Sequence, residues 1–173
     1  MTDHDRHFRI LVLCAGNIGR SPLAGAMLRA GLADSLGVAE RDLEIAGVTV
    51  VSAGTAAPEG HAASGRGMVL AGERGLDLTG HRAHQLTRSD LKAADLVLCM
   101  DNHQIAAVAE LLPDAAGKTE LIAGDGLEIL DPHHQSDAFF RDIAGQIEAA
   151  VTARIPGLLE QIHEPTGPAA GSE

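Results

Sequence analysis

The chain has 173 residues, 45% of them hydrophobic, which is enough for one domain with an aliphatic core. Its formal net charge of −11 disfavours nucleic acid and anionic membrane surfaces as partners. The chain has two cysteines, no secretory signal pattern and no apolar run near the roughly 20 residues of a membrane span. We therefore expect a cytoplasmic protein with reduced thiols, and neither a nucleic-acid nor a membrane partner.

Apolar strands and amphipathic helices alternate along the chain. Strands are predicted at 10–13, 48–52, 95–100 and 119–122, and helices at 22–36, 62–72, 102–112 and 136–159. Uniformly apolar strands that alternate with helices predict an α/β fold, a single domain with a four-stranded parallel sheet and helices on both faces. We expect this domain to span residues 1–163 and the last ten residues, 164–173, to form a disordered tail, because they lack apolar periodicity.

The segment 14–22, CAGNIGRSP, directly follows the first predicted strand. It places Cys14 at the carboxyl end of a parallel strand, where ligands bind in such sheets. The backbone N–H groups of the next residues can face inwards as an anion-binding nest. These residues are Ala15, Gly16, Asn17, Ile18 and Gly19. The pattern predicts a cysteine nucleophile beside an oxyanion cradle.

The end of the segment prepares a helix. We predict Ser21 as its N-cap and Pro22 as its first residue, so that the positive end of the helix dipole faces the loop. The dipole, the nest and Arg20 together favour the thiolate form of Cys14. The planar guanidinium of Arg20 can also hold two oxygens of one oxyanion. A phosphate monoester that reacts through a cysteinyl phosphate fits this set of groups.

Such a reaction needs a general acid for the leaving oxygen. Asp131 is the best candidate, because it precedes Pro132 in a glycine-rich loop after the last strand and should overhang the same crevice. Asp101 could serve the site or cap the helix predicted from 102, and we predict the cap.

The remaining reactive side chains have structural explanations. Cys99 lies inside an apolar run and is predicted to be core packing. Several histidines lack a second spaced ligand pair and are predicted to be solvated, namely His84, His103, His133 and His134. We expect neither a metal nor a cofactor.

The stretch LVLCAGNIGRSP resembles the active-site signature of the low-molecular-weight protein tyrosine phosphatases. In that signature a cysteine is followed by five residues and then by Arg and Ser or Thr, with an Asn three residues after the cysteine. Further segments look like landmarks of that family in the family's order, namely VVSAGT, LTGHRAHQLT, ADLVLCMD and the late LDP before a long helix. The family fold, a four-stranded parallel sheet flanked by helices, agrees with the alternation above.

The resemblance implies a phosphate-monoester hydrolase that acts on a phosphorylated protein or a small aryl phosphate and holds phosphate or another oxyanion in its loop. It implies that Cys14 is the nucleophile, Arg20 the phosphate clamp and Asp131 the general acid. It also implies that Asn17 and Ser52 form a buried hydrogen-bonded pair that holds the loop, that Ser21 helps the leaving thiolate, and that His81 has an orienting role behind the reacting residues.

The chain departs from the family at the substrate rim. The usual Asp-Pro-Tyr-Tyr is Asp-Pro-His133-His134 here, and the chain has no Tyr or Trp to grip a phosphotyrosine ring. The two histidines predict an atypical rim and a weaker preference for phosphotyrosine. Two alternatives stay open: an arsenate reductase on the same fold that relies on an external thiol, and a phospho-ligand binder with little activity.

Overall fold

The computed structural model describes residues 7–164, and within this range four strands form one parallel sheet. The strands are β1 (Phe8–Cys14), β2 (Val48–Gly54), β3 (Leu96–Cys99) and β4 (Thr119–Leu121), in the spatial order β2-β1-β3-β4. All three strand pairs are parallel. The predicted four-stranded parallel sheet is confirmed. Of the predicted disordered tail, all but Glu164 lies outside the described residues.

Helices cover both faces of this sheet. They are α1 (Arg20–Leu36), α2 (Gly65–Gly72), α3 (Arg88–Ala93), α4 (Asn102–Leu111) and α5 (Asp137–His163), with short 3-10 helices at Glu40–Asp42 and Pro113–Lys118. The core residues of α1, α2 and α5 form one cluster with the sheet, and those of α3 and α4 form another. None of the helices in residues 7–164 combines the length and the hydropathy needed to cross a bilayer.

The side chains of β1 divide the core in two. Ile10 and Val12 pack into the cluster of α1, α2 and α5, whereas Leu11 and Leu13 pack into the cluster of α3 and α4. A central strand that is buried on both faces needs apolar residues at every position, which explains its uniform sequence. Cys99 is fully buried in the second cluster, so its predicted core role is confirmed.

The start of α1 differs from the prediction. The helix begins at Arg20 with Gly19 at the N-cap, so the expected cap at Ser21 and the expected first residue Pro22 are both wrong. The Ser21 hydroxyl instead contacts the Cys14 thiol and the Asn17 amide inside the loop.

Two further helix boundaries carry information about local sequence. The six-residue helix α3 was not predicted, because its stability rests on a capping box between Thr87 and Asp90 rather than on an apolar stripe. Helix α5 extends to His163, and its N-cap Ser136 accepts a hydrogen bond from the Phe139 N–H at 3.1 Å. The helix predicted over 62–72 begins only at Gly65.

The strand order fixes where a ligand can bind. The chain leaves β1 for β2 on one side and reaches β3 on the other, so a crevice opens beyond the carboxyl end of β1. Cys14 is the last residue of β1 and pairs with Gly54, the last residue of β2.

Candidate active site

The loop over residues 14–20 is held by its carbonyl oxygens. Four of them accept hydrogen bonds from surrounding segments. The Thr55 N–H donates to the Cys14 carbonyl at 3.1 Å, and the Ala56 N–H donates to the Ala15 carbonyl at 2.9 Å. His81 Nε2 donates to the Asn17 carbonyl at 2.7 Å, and the Ser64 N–H donates to the Ile18 carbonyl at 2.7 Å. All described peptide bonds are trans, so the N–H of the residue that follows each of these carbonyls points in the direction opposite to the carbonyl. The N–H groups of Ala15, Gly16, Ile18 and Gly19 therefore face the interior of the loop.

The Cys14 thiol lies at the floor of this ring of N–H groups. Its Sγ accepts a hydrogen bond from the Asn17 N–H at 3.2 Å and lies 3.0 Å from Ser21 Oγ. Only 2% of Cys14 is exposed, yet it lines the cleft described below. A sulfur so placed can approach a tetrahedral anion that the loop amides hold.

Asn17 organises the loop with both its backbone and its side chain. Its φ of 54° lies in the left-handed region, which asparagine tolerates better than most residues. Its Nδ2 donates to Ser21 Oγ at 2.8 Å and to Ser52 Oγ at 2.9 Å, and its Oδ1 accepts from the His84 N–H at 2.9 Å. The hydrogen bond expected between Asn17 and Ser52 is thus present, and it ties the loop to β2.

Two histidines support the loop from outside. His81 Nε2 carries the proton that it donates to the Asn17 carbonyl, and burial, more than nearby arginine charges, lowers the pKa of His81. The His84 ring bridges Asp90 at 2.8 Å and Glu59 at 3.4 Å. Partial burial lowers the pKa of His84, but the hydrogen bonds and charges of these two carboxylates raise it above the ordinary value.

Arg20 is buried beside the loop and held in one orientation. Its Nη1 donates to Asp101 Oδ2 at 2.9 Å and to the Ile129 carbonyl at 2.7 Å. Asp101 also caps α4, because its Oδ1 accepts from the His103 N–H at 2.9 Å, which confirms the predicted cap. Burial raises the pKa of Asp101, but the Arg20 guanidinium holds it below its usual range. Sequence reasoning treated cap and site as alternatives, whereas the two carboxylate oxygens do both.

Asp131 lies in the loop between β4 and α5, on the same side as the cysteine. Its Oδ2 is 3.6 Å from Arg20 Nη2, and its Oδ1 accepts from the His133 N–H at 2.9 Å. Half of its side chain is exposed, which leaves the carboxyl open to the cleft. The structure thus brings Cys14, Arg20 and Asp131 to one cleft of about 370 Å³.

The walls of this cleft are mainly apolar. Besides the loop, they are formed by Ala56, Pro58, Ser64, Arg66, Pro132, His133 and Phe140. His133 lines the cleft as expected, whereas His134 is exposed outside it with a φ of 65°. Sequence reasoning missed Phe140, Arg66 and Pro58. The available signal for Phe140 was its place in the first turn of the helix that follows the Asp-Pro loop.

Residues 7–164 contain no cluster of three or more His, Cys, Asp or Glu side chains that could hold a metal ion. The functional groups gathered at the loop are the Cys14 thiol, the Arg20 guanidinium, the Asp131 carboxyl and a set of backbone N–H groups.

Comparison with known proteins agrees with this geometry. The family model for the low molecular weight phosphotyrosine protein phosphatases matches residues 9–165. The chain is 34% identical over 148 residues to the probable low molecular weight protein-tyrosine-phosphatase EpsP of Ralstonia nicotianae, a match covering 85% of this chain and 93% of that protein. It is 30% identical over 148 residues to the protein-arginine-phosphatase of Geobacillus stearothermophilus, covering 83% and 91%. The structure of Vibrio vulnificus Wzb in complex with benzylphosphonate has a TM-score of 0.75 at 30% identity, covering 87% of this chain and 98% of that one.

A parallel sheet with a buried cysteine at the floor of an oxyanion loop is the arrangement found in cysteine-dependent phosphatases. The chain belongs to the low molecular weight phosphotyrosine protein phosphatase family. It is a phosphate-monoester hydrolase, and the cysteine mechanism is general to that family.

Proposed function

We propose that the protein is a protein-tyrosine phosphatase in which Cys14, Arg20 and Asp131 carry the reaction. The Cys14 thiolate attacks phosphorus, and a sulfur–phosphorus bond forms as the bond from phosphorus to the tyrosine oxygen breaks. The Asp131 carboxyl gives its proton to the departing oxygen. Water then attacks the cysteinyl phosphate while the Asp131 carboxylate accepts a proton from it, and phosphate leaves as the thiolate is restored.

The observation that carries this proposal is the ring of inward N–H groups around the Cys14 sulfur. These groups and Arg20 meet the non-bridging phosphate oxygens, whose charge grows in the transition state. Both side-chain hydrogen bonds from Arg20 to the protein use Nη1, so Nη2 and Nε supply its donors to phosphate. The Ser21 hydroxyl, 3.0 Å from the sulfur, stabilises the thiolate when it leaves.

The apolar walls favour an aromatic leaving group. Ile18, Pro58 and Phe140 offer surfaces on which a tyrosine ring can pack, and His133 adds a rim. The benzylphosphonate in the related Wzb complex likewise joins a ring to a tetrahedral anion. Because one relative is a protein-arginine-phosphatase, phosphoarginine is the main alternative substrate. The charged guanidinium of phosphoarginine gains less from contact with these apolar walls than a tyrosine ring does.

Arsenate reduction is a chemical alternative on this fold, and it needs a thiol to resolve the cysteine adduct. Cys99 is fully buried and its pKa is raised to about 12, chiefly by burial, so any such thiol would be external.

On the same sequence grounds as above we propose a domain over residues 1–163 and a cytoplasmic location, with Cys14 and Cys99 as free thiols.

Steady-state kinetics on matched variants test the assignment. Cys14→Ser should abolish hydrolysis of para-nitrophenyl phosphate, with Cys99→Ala as the control for loss of a thiol. Asp131→Ala should slow phenyl phosphate more than para-nitrophenyl phosphate, because phenolate needs the proton more. Asp125→Ala, which removes an exposed carboxylate from the same loop, should treat both esters as the wild type does.

Substrate choice is tested with matched phosphotyrosine and phosphoarginine peptides and with arsenate plus glutathione. We expect the highest kcat/KM on phosphotyrosine. Faster turnover of phosphoarginine or of arsenate would overturn the substrate assignment. Wild-type turnover by Cys14→Ser would remove that residue from the mechanism, and tight binding without any turnover would make the protein a phospho-ligand binder.

A further inference from the structure

A second cleft of about 390 Å³ adjoins the catalytic one. It lies between α2 and the start of α5, and Arg66 and Phe140 line both clefts. Its other lining residues are Gly65, Val69, Leu70, Asp137 and Arg141. A ligand that extends from the catalytic cleft past the shared wall therefore enters this second cleft.

Most of the open surface of the second cleft is apolar. Val69 is 58% exposed, an unusual exposure for a large apolar side chain, and it stands beside the buried Leu70 and Phe140. Exposed apolar surface that continues from a binding site is typical of a recognition surface. An aliphatic side chain placed on Val69 would leave water and would also cover the exposed part of the Val69 side chain.

Each arginine of this cleft has an acidic partner. Arg66 Nη1 donates to the Gln135 carbonyl at 2.7 Å and lies 3.4 Å from Asp137 Oδ1, and the guanidinium lies 5.0 Å from the centre of the Phe140 ring. Arg141 forms two hydrogen bonds with Glu73, at 2.5 and 3.0 Å. Both positive charges are therefore balanced by a neighbouring carboxylate.

The charges at the rim balance. Asp137, whose side chain is 91% exposed, lines the cleft and pairs with Arg66, as Glu73 pairs with Arg141. Neither glutamate nor lysine gains a net attraction from such paired charges, so the cleft favours an uncharged aliphatic group.

We propose that the second cleft binds an aliphatic side chain of the polypeptide substrate, one or two residues away from the phosphotyrosine. An extended chain advances about 3.3–3.6 Å per residue, so a near neighbour of the phosphotyrosine is the residue that can reach past the shared wall. This inference rests on the proposed phosphotyrosine phosphatase activity. It makes Val69 a residue that determines peptide specificity without touching the reacting atoms.

The test uses phosphotyrosine peptides with alanine at the two positions before and the two positions after the phosphotyrosine. Leucine is placed at these four positions one at a time, with glutamate and lysine as matched replacements. We expect leucine at one position to lower KM by about three- to tenfold with kcat unchanged, the effect of removing much of one aliphatic side chain from water. Glutamate and lysine at that position should give no such gain.

Variants of the enzyme locate the effect. Val69→Ser should abolish the leucine preference. Ile45→Ser, which changes an apolar residue that is 87% exposed elsewhere on the surface, should retain it. Para-nitrophenyl phosphate has no flanking residue and reports the catalytic centre independently, so its turnover separates a failure of this inference from a failure of the proposed function. The absence of a leucine preference at all four positions, its persistence in Val69→Ser, or a preference for glutamate would overturn the inference.

Discussion

Substitution of Gly54 by alanine should displace the oxyanion loop. A Cβ at this position would lie 2.5 Å from the Ala15 carbonyl oxygen and 3.0 Å from the Cβ atoms of Ala57 and Asn17. An ordinary contact between carbon and oxygen is about 3.3–3.6 Å, so the two backbones must separate by about 1 Å. None of these three atoms is the end of a flexible side chain, and the Ala15 carbonyl is one of those that direct N–H groups inwards.

This displacement sets the expected size of the effect. A misplacement of about 1 Å in a catalytic site lowers rates about a hundredfold, and forced overpacking destabilises a fold by about 1–3 kcal/mol. We expect Gly54→Ala to lower kcat/KM for para-nitrophenyl phosphate by about that factor and to weaken competitive inhibition by inorganic phosphate. Thermal unfolding followed by circular dichroism measures the loss of stability.

The matched control is Gly145→Ala in α5, where an added Cβ has no neighbour within 4 Å. This change should leave kinetics unaltered and stabilise the helix by about 0.5–1 kcal/mol. Wild-type kcat/KM and phosphate inhibition in Gly54→Ala would refute the reasoning, because they would show that the loop tolerates the added carbon without moving.

Three further predictions follow from buried or paired groups. Asp101→Asn removes the charge that faces buried Arg20 but retains a helix cap, so kcat/KM should fall about ten- to a hundredfold with the fold intact. An unchanged kcat/KM would contradict the role of Asp101 in orienting Arg20. His84 has a raised pKa, so its ion pairs stabilise the protein fully below the unfolded pKa of about 6.5 and stop doing so as pH rises through the folded pKa. His84→Gln should therefore flatten that part of the plot of Tm against pH, and parallel plots for wild type and variant would argue against this role of His84. Iodoacetamide should alkylate Cys14 alone in the folded protein and Cys99 only after denaturation, because burial raises the pKa of Cys99 to about 12; mass spectrometry of native protein modified at Cys99 would show the strand to be accessible.

The sequence was most informative where function and local structure share one segment. Residues 14–20 run consecutively from a strand end through a turn, so spacing alone indicated a cradle beside Cys14. Asp131 could be identified as a candidate for a similar reason, because an Asp-Pro pair in a loop after the last strand falls on the ligand side of a parallel sheet.

Apart from His133, the walls of the cleft were not predicted from local sequence. Phe140 packs in the core cluster and also lines the cleft, and its place in the first turn of α5 suits a purely buried residue equally well. Arg66 reaches the cleft only because α2 packs beside α5, a tertiary contact with no sequence pattern of its own. The start of α1 was misplaced for a related reason, since Ser21 has the usual N-cap chemistry but its hydroxyl is taken by Cys14 and Asn17.

The carbonyl bonds that turn the loop amides inwards come from segments distant in sequence, near residues 55, 64 and 81. If any of these segments separates, the N–H groups lose their common direction, so the bound anion is a ligand of the folded domain alone. By mass action, an anion at about a hundred times its Kd then adds about 2.7 kcal/mol to the free energy of unfolding. We therefore expect inorganic phosphate in the surroundings of the protein to act on it twice, as a product that occupies the cleft and as a ligand that keeps the whole domain folded.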